Sequence, residues 1–193
     1  MLCFDYINTL SMSVAYGILI GRFQIPHIGH IELIRDVLTK CNHLILFIGS
    51  SFLDDTILRT KKNPFTFTER CTMLSVCFTQ DELEKISFIA LSDYPDDNDW
   101  FKAINSVTNA INYKNESVGI FGYVKDDTSY YLKCFPQYQY LVLSNCFHDG
   151  LSSTPIRERF LLTGLIDQSV LHPNVVEYLR SIDRDAINAC IQN

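Results

Sequence analysis

The sequence has no apolar run approaching the ~18–20 residues that a membrane-spanning helix needs. It has no surplus of positive charge either. Sixteen Lys and Arg stand against 22 Asp and Glu, a formal charge of −6 at pH 7. A broad nucleic-acid-binding surface is therefore excluded, and any phosphate must be held by a few well-aimed donors. No two cysteines form a CxxC pair. The seven present (Cys3, Cys41, Cys71, Cys77, Cys134, Cys146, Cys190) are an odd set, better suited to thiols in a reducing cytoplasm than to a disulfide framework or a zinc site. The stretch from Met1 to Val14 lacks a basic start and carries Asp5 and Asn8, unlike a secretory signal. It reads as an N-terminal extension over residues 1–13, with Met12 as an alternative start. Internal repeats, low-complexity tracts and linkers are also missing. The expectation is a cytoplasmic protein with neither membrane nor nucleic-acid partners.

What is present is an ordinary composition, 47% hydrophobic and 20% charged in 193 residues, enough for one domain with a sizeable core. Short apolar runs alternate with segments of helical period. Strands are expected at Ala15–Ile20, Leu44–Ile48, Ile86–Leu91, Val118–Phe121 and Tyr140–Leu143. Helices are expected at His30–Lys40, Glu69–Phe78 (with Thr66 and Glu69 as a capping box), Trp100–Ile111, from about Ser129, Pro155–Leu162 and Asn174–Ile182. Such alternation implies right-handed βαβ units and an α/β fold with a parallel sheet. Ligands of these sheets sit at the carboxyl ends of the strands, which directs attention to the residues after Ile20, Ile48, Leu91, Phe121 and Leu143.

Two of those places carry chemistry. Gly21-Arg22-Phe23-Gln24-Ile25-Pro26-His27-Ile28-Gly29-His30 leaves the first strand and enters a helix. Two histidines three apart lie on one side of a first helical turn, where free N–H groups and the helix dipole favour an anion. Gly29 lets a ligand approach the backbone closely. The same segment can equally be a strand-to-helix turn with two surface histidines. The second place is Leu151-Ser152-Ser153-Thr154-Pro155-Ile156-Arg157. Thr154 followed by Pro155 reads as an N-cap and N1 pair. Ser152, Thr154 and Arg157 could also form an anion cradle of hydroxyls, a guanidinium and helix amides.

Together the two motifs resemble the nucleotidylyltransferase superfamily, which pairs HxGH after the first strand with (I/L)SxTx(I/V)R near the C-terminus. The likeness narrows to the archaeal-type nicotinamide mononucleotide (NMN) adenylyltransferases. It rests on Gly21–Gln24, on Ile48–Ser51, on Lys62-Asn63-Pro64-Phe65-Thr66 with Glu69-Arg70, and on Asp93 seven residues before Trp100. Gly122 through Lys125-Asp126, then Ser129–Leu132 and Phe135-Pro136, is closest to a bacterial branch in which this domain is often fused to a Nudix hydrolase. No Nudix signature is seen. The likeness departs at Ile25, which separates Gln24 from Pro26 where the family usually has proline directly after glutamine.

The resemblance implies a Rossmann-like fold with helices on both sheet faces and a short helical C-terminus, in a single domain over residues 14–193. It implies that ATP and NMN are joined into NAD and pyrophosphate, with magnesium carried on the ATP phosphates and no metal-binding protein residue. Gly21, Arg22, Phe23, Gln24, His27, Gly29, His30, Ser152, Thr154 and Arg157 would bind ATP. Of these, His27, His30, Arg22 and Arg157 would be catalytic. Phe23, Gly49, Ser50, Asn63, Asp93, Trp100 and Gly122 would bind NMN. Other small-molecule transferases of the superfamily, of the pantetheine-phosphate adenylyl or cytidylyl kind, and a non-catalytic nucleotide sensor are the competing readings. The resemblance allows a homo-oligomer. Lys61 and Lys62 read as a solvated loop pair or as contacts to triphosphate; the acidic group Asp96, Asp97 and Asp99 is expected to supply helix-start charges, and His43, His148 and His172 are expected to be structural or on the surface.

Overall fold

The computed structural model describes residues 13–51, 59–122, 132–143 and 150–191. Five strands, β1 (Val14–Gly21), β2 (Cys41–Gly49), β3 (Ile86–Leu91), β4 (Val118–Gly122) and β5 (Gln139–Val142), form one sheet in the order β3-β2-β1-β4-β5. All four pairings are parallel. The order reverses at β1, so a crevice opens at its carboxyl end between the connections that lead away in opposite directions.

Strand side chains divide between two cores with a period of two. Leu19, Leu44, Leu46 and Ile48 face one cluster, together with side chains of α1 (Ile28–Leu38), α2 (Phe67–Ser75), α5 (Ser153–Thr163), α6 (Pro173–Ser181) and α7 (Arg184–Cys190). Ile18, Ile45, Phe47 and Ile120 face the other, with Ile104 and neighbours of α4 (Asp97–Ile111). Helices thus cover both faces of the sheet. No described helix is long and apolar enough to cross a membrane.

All five expected strands are present, and five of the expected helices. Two more helices, α3 (Gln80–Leu83) and α7, were not expected. The helix placed from about Ser129 begins outside the described residues, and residues 132–133 form only a single 3₁₀ turn. Residues 1–12 of the expected extension are likewise outside the described residues. One boundary is corrected. The N-cap of α5 is Ser152, whose Oγ accepts from the Thr154 N–H at 3.4 Å. Pro155 therefore lies third in the helix rather than first. Its missing N–H is harmless there too, because the first turn has no carbonyl to bond.

The capping box at α2 forms as expected. Thr66 Oγ1 accepts from the Glu69 N–H at 3.2 Å, and Glu69 Oε2 accepts from the Thr66 N–H at 2.8 Å. Glu69 is also clamped by the Arg59 guanidinium at 2.8 and 3.0 Å. Thr66→Ala should lower the unfolding free energy by about 1 kcal/mol, measured as a shift in the urea midpoint. An unchanged midpoint would mean that the box contributes nothing.

Candidate active site

Beyond the carboxyl end of β1 lies a cleft of about 170 Å³, lined by Arg22, Phe23, Gln24, His27, His30, Leu151, Ser152, Ser153, Thr154 and Arg157. The two motifs, more than a hundred residues apart, therefore meet. They meet by bonding. Ser153 Oγ donates to the Ile25 carbonyl at 2.8 Å, and Arg157 Nη1 donates to the Gln24 carbonyl at 3.0 Å. The peptide between Gln24 and Ile25 is cis. Gln24 turns its amide away from a ligand role: Nε2 donates to the Phe65 carbonyl at 2.9 Å, and Oε1 accepts the Phe65 N–H at 3.0 Å.

The first turns of α1 and α5 both open on the cleft. Each brings the positive end of a helix dipole, although the Ile28 N–H is taken by the Val170 carbonyl, the His30 N–H by the His27 carbonyl and the Thr154 N–H by Ser152 Oγ. His27 is the N-cap of α1, Gly29 is buried at its second position and His30 stands third. The two imidazoles stack with centroids 3.7 Å apart. His30 Nδ1 accepts the His27 N–H at 3.2 Å, which leaves Nε2–H as the donor that His30 can present. The Phe23 ring packs edge-on against His30 at 5.0 Å and so fixes its plane. Gly21 makes room for that ring, since a Cβ there would lie 2.6 Å from Phe23 Cζ.

Arg157 is buried, and its Nε also donates to the Lys61 carbonyl at 3.0 Å, while Nη2 reaches Thr154 Oγ1 at 3.5 Å. Burial first, and then the nearby Arg22 cation, pulls its pKa below the usual value, against a smaller opposing pull from Glu158. Two guanidiniums and two helix N-termini around one small polar cleft make a site that an anion relieves. The buried thiols of Cys41 and Cys77 are pushed up to about 11 and about 12, so neither is an available nucleophile.

Of the residues expected to hold the acceptor, Gly49, Ser50, Asp93 and Gly122 lie at or just past strand ends, whereas Trp100 lies in α4 and Asn63 in the loop before α2. Ser50, just past β2, donates from Oγ to Asp93 Oδ1, just past β3, at 3.0 Å. A Cβ on Gly49 would touch the Arg22 side chain at 3.6 Å, so this group adjoins the cleft. Trp100, half-buried in α4, packs on Phe101 and Phe135. Gly122 ends β4 against Leu132, leaving no space for a Cβ. Asn63 lies in the loop before α2, its backbone paired with Thr60 at 3.1 and 3.3 Å. Its Oδ1 is buried without a hydrogen-bond partner among the described residues.

Two residues at these strand ends, Phe23 and Ser50, have φ of +51°, a left-handed conformation that costs a non-glycine residue about 1–3 kcal/mol. Their neighbours share one support that sequence reasoning missed. Arg70 of α2 is fully buried and donates to the carbonyls of Arg22 (2.8 Å), Gly49 (2.7 Å), Ser50 (3.2 Å) and Thr66 (3.1 Å), and to Ser51 Oγ. A signal existed: Arg70 falls on the same helical stripe as the buried Met73 and Leu74, a position for a core residue. Ser153 was also missed, because its tie to Ile25 needs the folded chain. The polar residues expected to be structural behave so where described. Asp96 caps α4, His172 caps α6, and His43 pairs with Ser87. Lys61 and Lys62 are exposed, and His148 lies outside the described residues.

A family model for cytidylyltransferase-like proteins matches residues 18–159. A nicotinamide/nicotinic acid mononucleotide adenylyltransferase of Acinetobacter baylyi is 30% identical over 92% of this chain and 91% of its own length. A nicotinamide-nucleotide adenylyltransferase of Thermococcus onnurineus is 32% identical over 86% of this chain and 82% of its own. Among solved structures, a bifunctional NMN adenylyltransferase/ADP ribose pyrophosphatase of Francisella tularensis superposes with a TM-score of 0.76 at 26% identity, covering 91% of this chain. This chain spans about half (53%) of that bifunctional one. The five-stranded parallel sheet, the cleft at its switch point and these likenesses agree: the chain belongs to the cytidylyltransferase-like family of nucleotidylyltransferases, beside relatives named as NMN adenylyltransferases.

Proposed function

We propose that this protein is a nicotinamide-nucleotide adenylyltransferase, joining ATP and NMN to give NAD and pyrophosphate. The observation that carries the reading is the meeting of both motifs in one cationic cleft, next to the Ser50–Asp93 pair. The cleft is sized and charged for a polyphosphate rather than a whole nucleotide. Bases and the pyridine ring then lie outside it, along the ends of β2, β3 and β4.

In this reading the NMN phosphate, already an anion, attacks the ATP α-phosphorus in line and pyrophosphate leaves. No general base is needed, so the residues act by position and charge. The Nε2–H of His30, the Arg22 guanidinium and the positive ends of the α1 and α5 dipoles stabilise charge on the transferring and leaving phosphates. His27 stacks against His30 and completes the turn. Ser152 and Thr154 add hydroxyls at the start of α5. Arg157 is chiefly a brace between Gln24 and Lys61, with its Nη2 edge nearest the ligand. The donors facing the cleft are cations and hydroxyls, a set that fits phosphate oxygens. Magnesium would accordingly be held by the phosphates and water, neutralising charge on the leaving group. Asp93 and the buried acceptor Asn63 Oδ1 suit a substrate carrying N–H donors, which the NMN carboxamide has.

A coupled assay for NAD from ATP and NMN tests the whole reading. Turnover of CTP or of phosphopantetheine, with none of NMN, would replace it with another transferase of the family.

His30→Ala should lower kcat by about 10²–10³ while preserving the fold, the usual loss for one preorganised donor; a kcat near that of the wild type would make His30 structural. Arg157→Lys should raise the KM for ATP by about 10–100-fold, because lysine cannot span the two carbonyls and the ligand edge together. Steady-state kinetics with ATP varied would show it, and an unchanged KM and kcat would remove Arg157 from the site.

Acceptor choice is the third expectation. A cationic pyridinium against the Trp100 indole gains about 0.5–2 kcal/mol, so Trp100→Ala should raise the KM for NMN and leave that for ATP unchanged. The Asp93 carboxylate should disfavour the acid analogue, nicotinate mononucleotide, by like-charge repulsion. Equal efficiency on both acceptors, as the name of the Acinetobacter relative permits for that enzyme, would take Asp93 out of the selectivity.

A further inference from the structure

We propose that Arg70 is a positioning residue that sets the two halves of the site relative to one another, although it touches neither substrate. The proposal deepens the adenylyltransferase reading and rests on it for its kinetic test. Arg70 lies on α2, inside the fold. Its guanidinium takes the carbonyl of Arg22, the residue before the left-handed Phe23, and the carbonyls of Gly49 and of the left-handed Ser50 itself. Phe23 orients the ring of His30, and Ser50 holds Asp93. One planar cation therefore connects the phosphate-side turn after β1 to the acceptor-side turn after β2. Its Nε bond to the Thr66 carbonyl and its bond to Ser51 Oγ fix the plane of the fork. A lysine offers a single point of donation and cannot reproduce this spacing.

A core role alone makes a different prediction from a positioning role. Were Arg70 only a strut, Arg70→Lys would lower Tm but leave the folded enzyme, assayed well below that Tm, with wild-type kinetics. As a positioning residue, its replacement should lower kcat by about 10²-fold, the scale of a misplacement of about 1 Å, and raise the KM for ATP and for NMN together. Hydrogen-exchange mass spectrometry on the same proteins reads the turns directly. Peptides covering residues 21–25 and 48–51 should exchange faster in Arg70→Lys, with β5 and α6 unchanged. Wild-type kinetics, or exchange raised uniformly across the chain, would overturn the proposal.

Should Arg70→Lys fail to fold, Ser51→Ala removes one acceptor and leaves the guanidinium in place. It should lower kcat and raise exchange in the same two peptides, and no change in either would overturn the proposal. Should the wild type make no NAD, the adenylyltransferase reading fails, and the exchange pattern alone still decides the role of Arg70.

Discussion

The arrangement of the site depends on a buried charge. Removing a guanidinium from water costs several kcal/mol unless its donors are met. Arg70 is fully buried and meets four carbonyls and a hydroxyl. Two of those carbonyls, of Arg22 and Ser50, belong to turns that leave parallel strands, where main-chain oxygens would otherwise need water, and a third belongs to Gly49, the last residue of β2. The requirement is mutual. The cation needs the turns in one geometry, and the turns, with Phe23 and Ser50 held at positive φ, need an acceptor-hungry partner at that point. The other long-range ties work in the same manner. Arg157 binds the carbonyls of Gln24 and Lys61, and Gln24 binds the Phe65 peptide. The loops beside the cleft are thus held by side chains that bond backbone.

An acidic protein holding a strongly positive cleft is no contradiction. A net charge of −6 sets the distant field, which salt screens over ~8–10 Å. The cleft is governed by nearer terms: two helix N-termini, Arg22 and the desolvated Arg157. Arg22 and Arg157 repel one another, as the lowered pKa of Arg157 registers after the larger effect of its burial. An anion held between the two guanidiniums would offset that repulsion.

The legibility of each element has a physical cause. The strands were readable because the sheet is buried on both faces, so each is a continuous apolar run such as Leu44–Ile48. Helix α2 was readable from its capping box. Helices α3 and α7 were not, because they are short and their starts, capped by Thr79 and Asp183, look like ordinary turns. The α5 cap was misplaced by two residues because Ser152, Ser153 and Thr154 are all competent caps; in the fold Ser152 accepts from the Thr154 N–H while Ser153 donates to the Ile25 carbonyl. The HxGH segment and the Ser-x-Thr-x-x-Arg segment were visible as patterns, while the bonds that join them were not, since no local signal encodes a contact across the chain. Arg70 was overlooked for the opposite reason: arginine reads as solvent-facing by default, although its place in the helical stripe pointed inward.

The two halves of the site differ in how they are built, and the difference bears on how selectivity can change. On the proposed reading, the phosphate half is made of two helix N-termini and of side chains locked by backbone contacts. Altering it means altering the turns themselves, with Gly21, Phe23 and His30 stacked in series so that a change in one displaces the next. On the same reading, the acceptor half depends on fewer groups: the exposed Asp93 carboxylate held by one hydroxyl, a half-buried indole and the amide of Asn63, whose Oδ1 is buried. A single exchange there, carboxylate for amide or indole for a smaller ring, alters the recognised group without disturbing a strand end. The same scaffold can therefore keep its adenylyl chemistry while its choice of acceptor changes. On the proposed reading, the ease of that change comes from the separation of the two ends, with acceptor recognition resting on a few side chains and the phosphate end on side chains tied to the backbone of two turns.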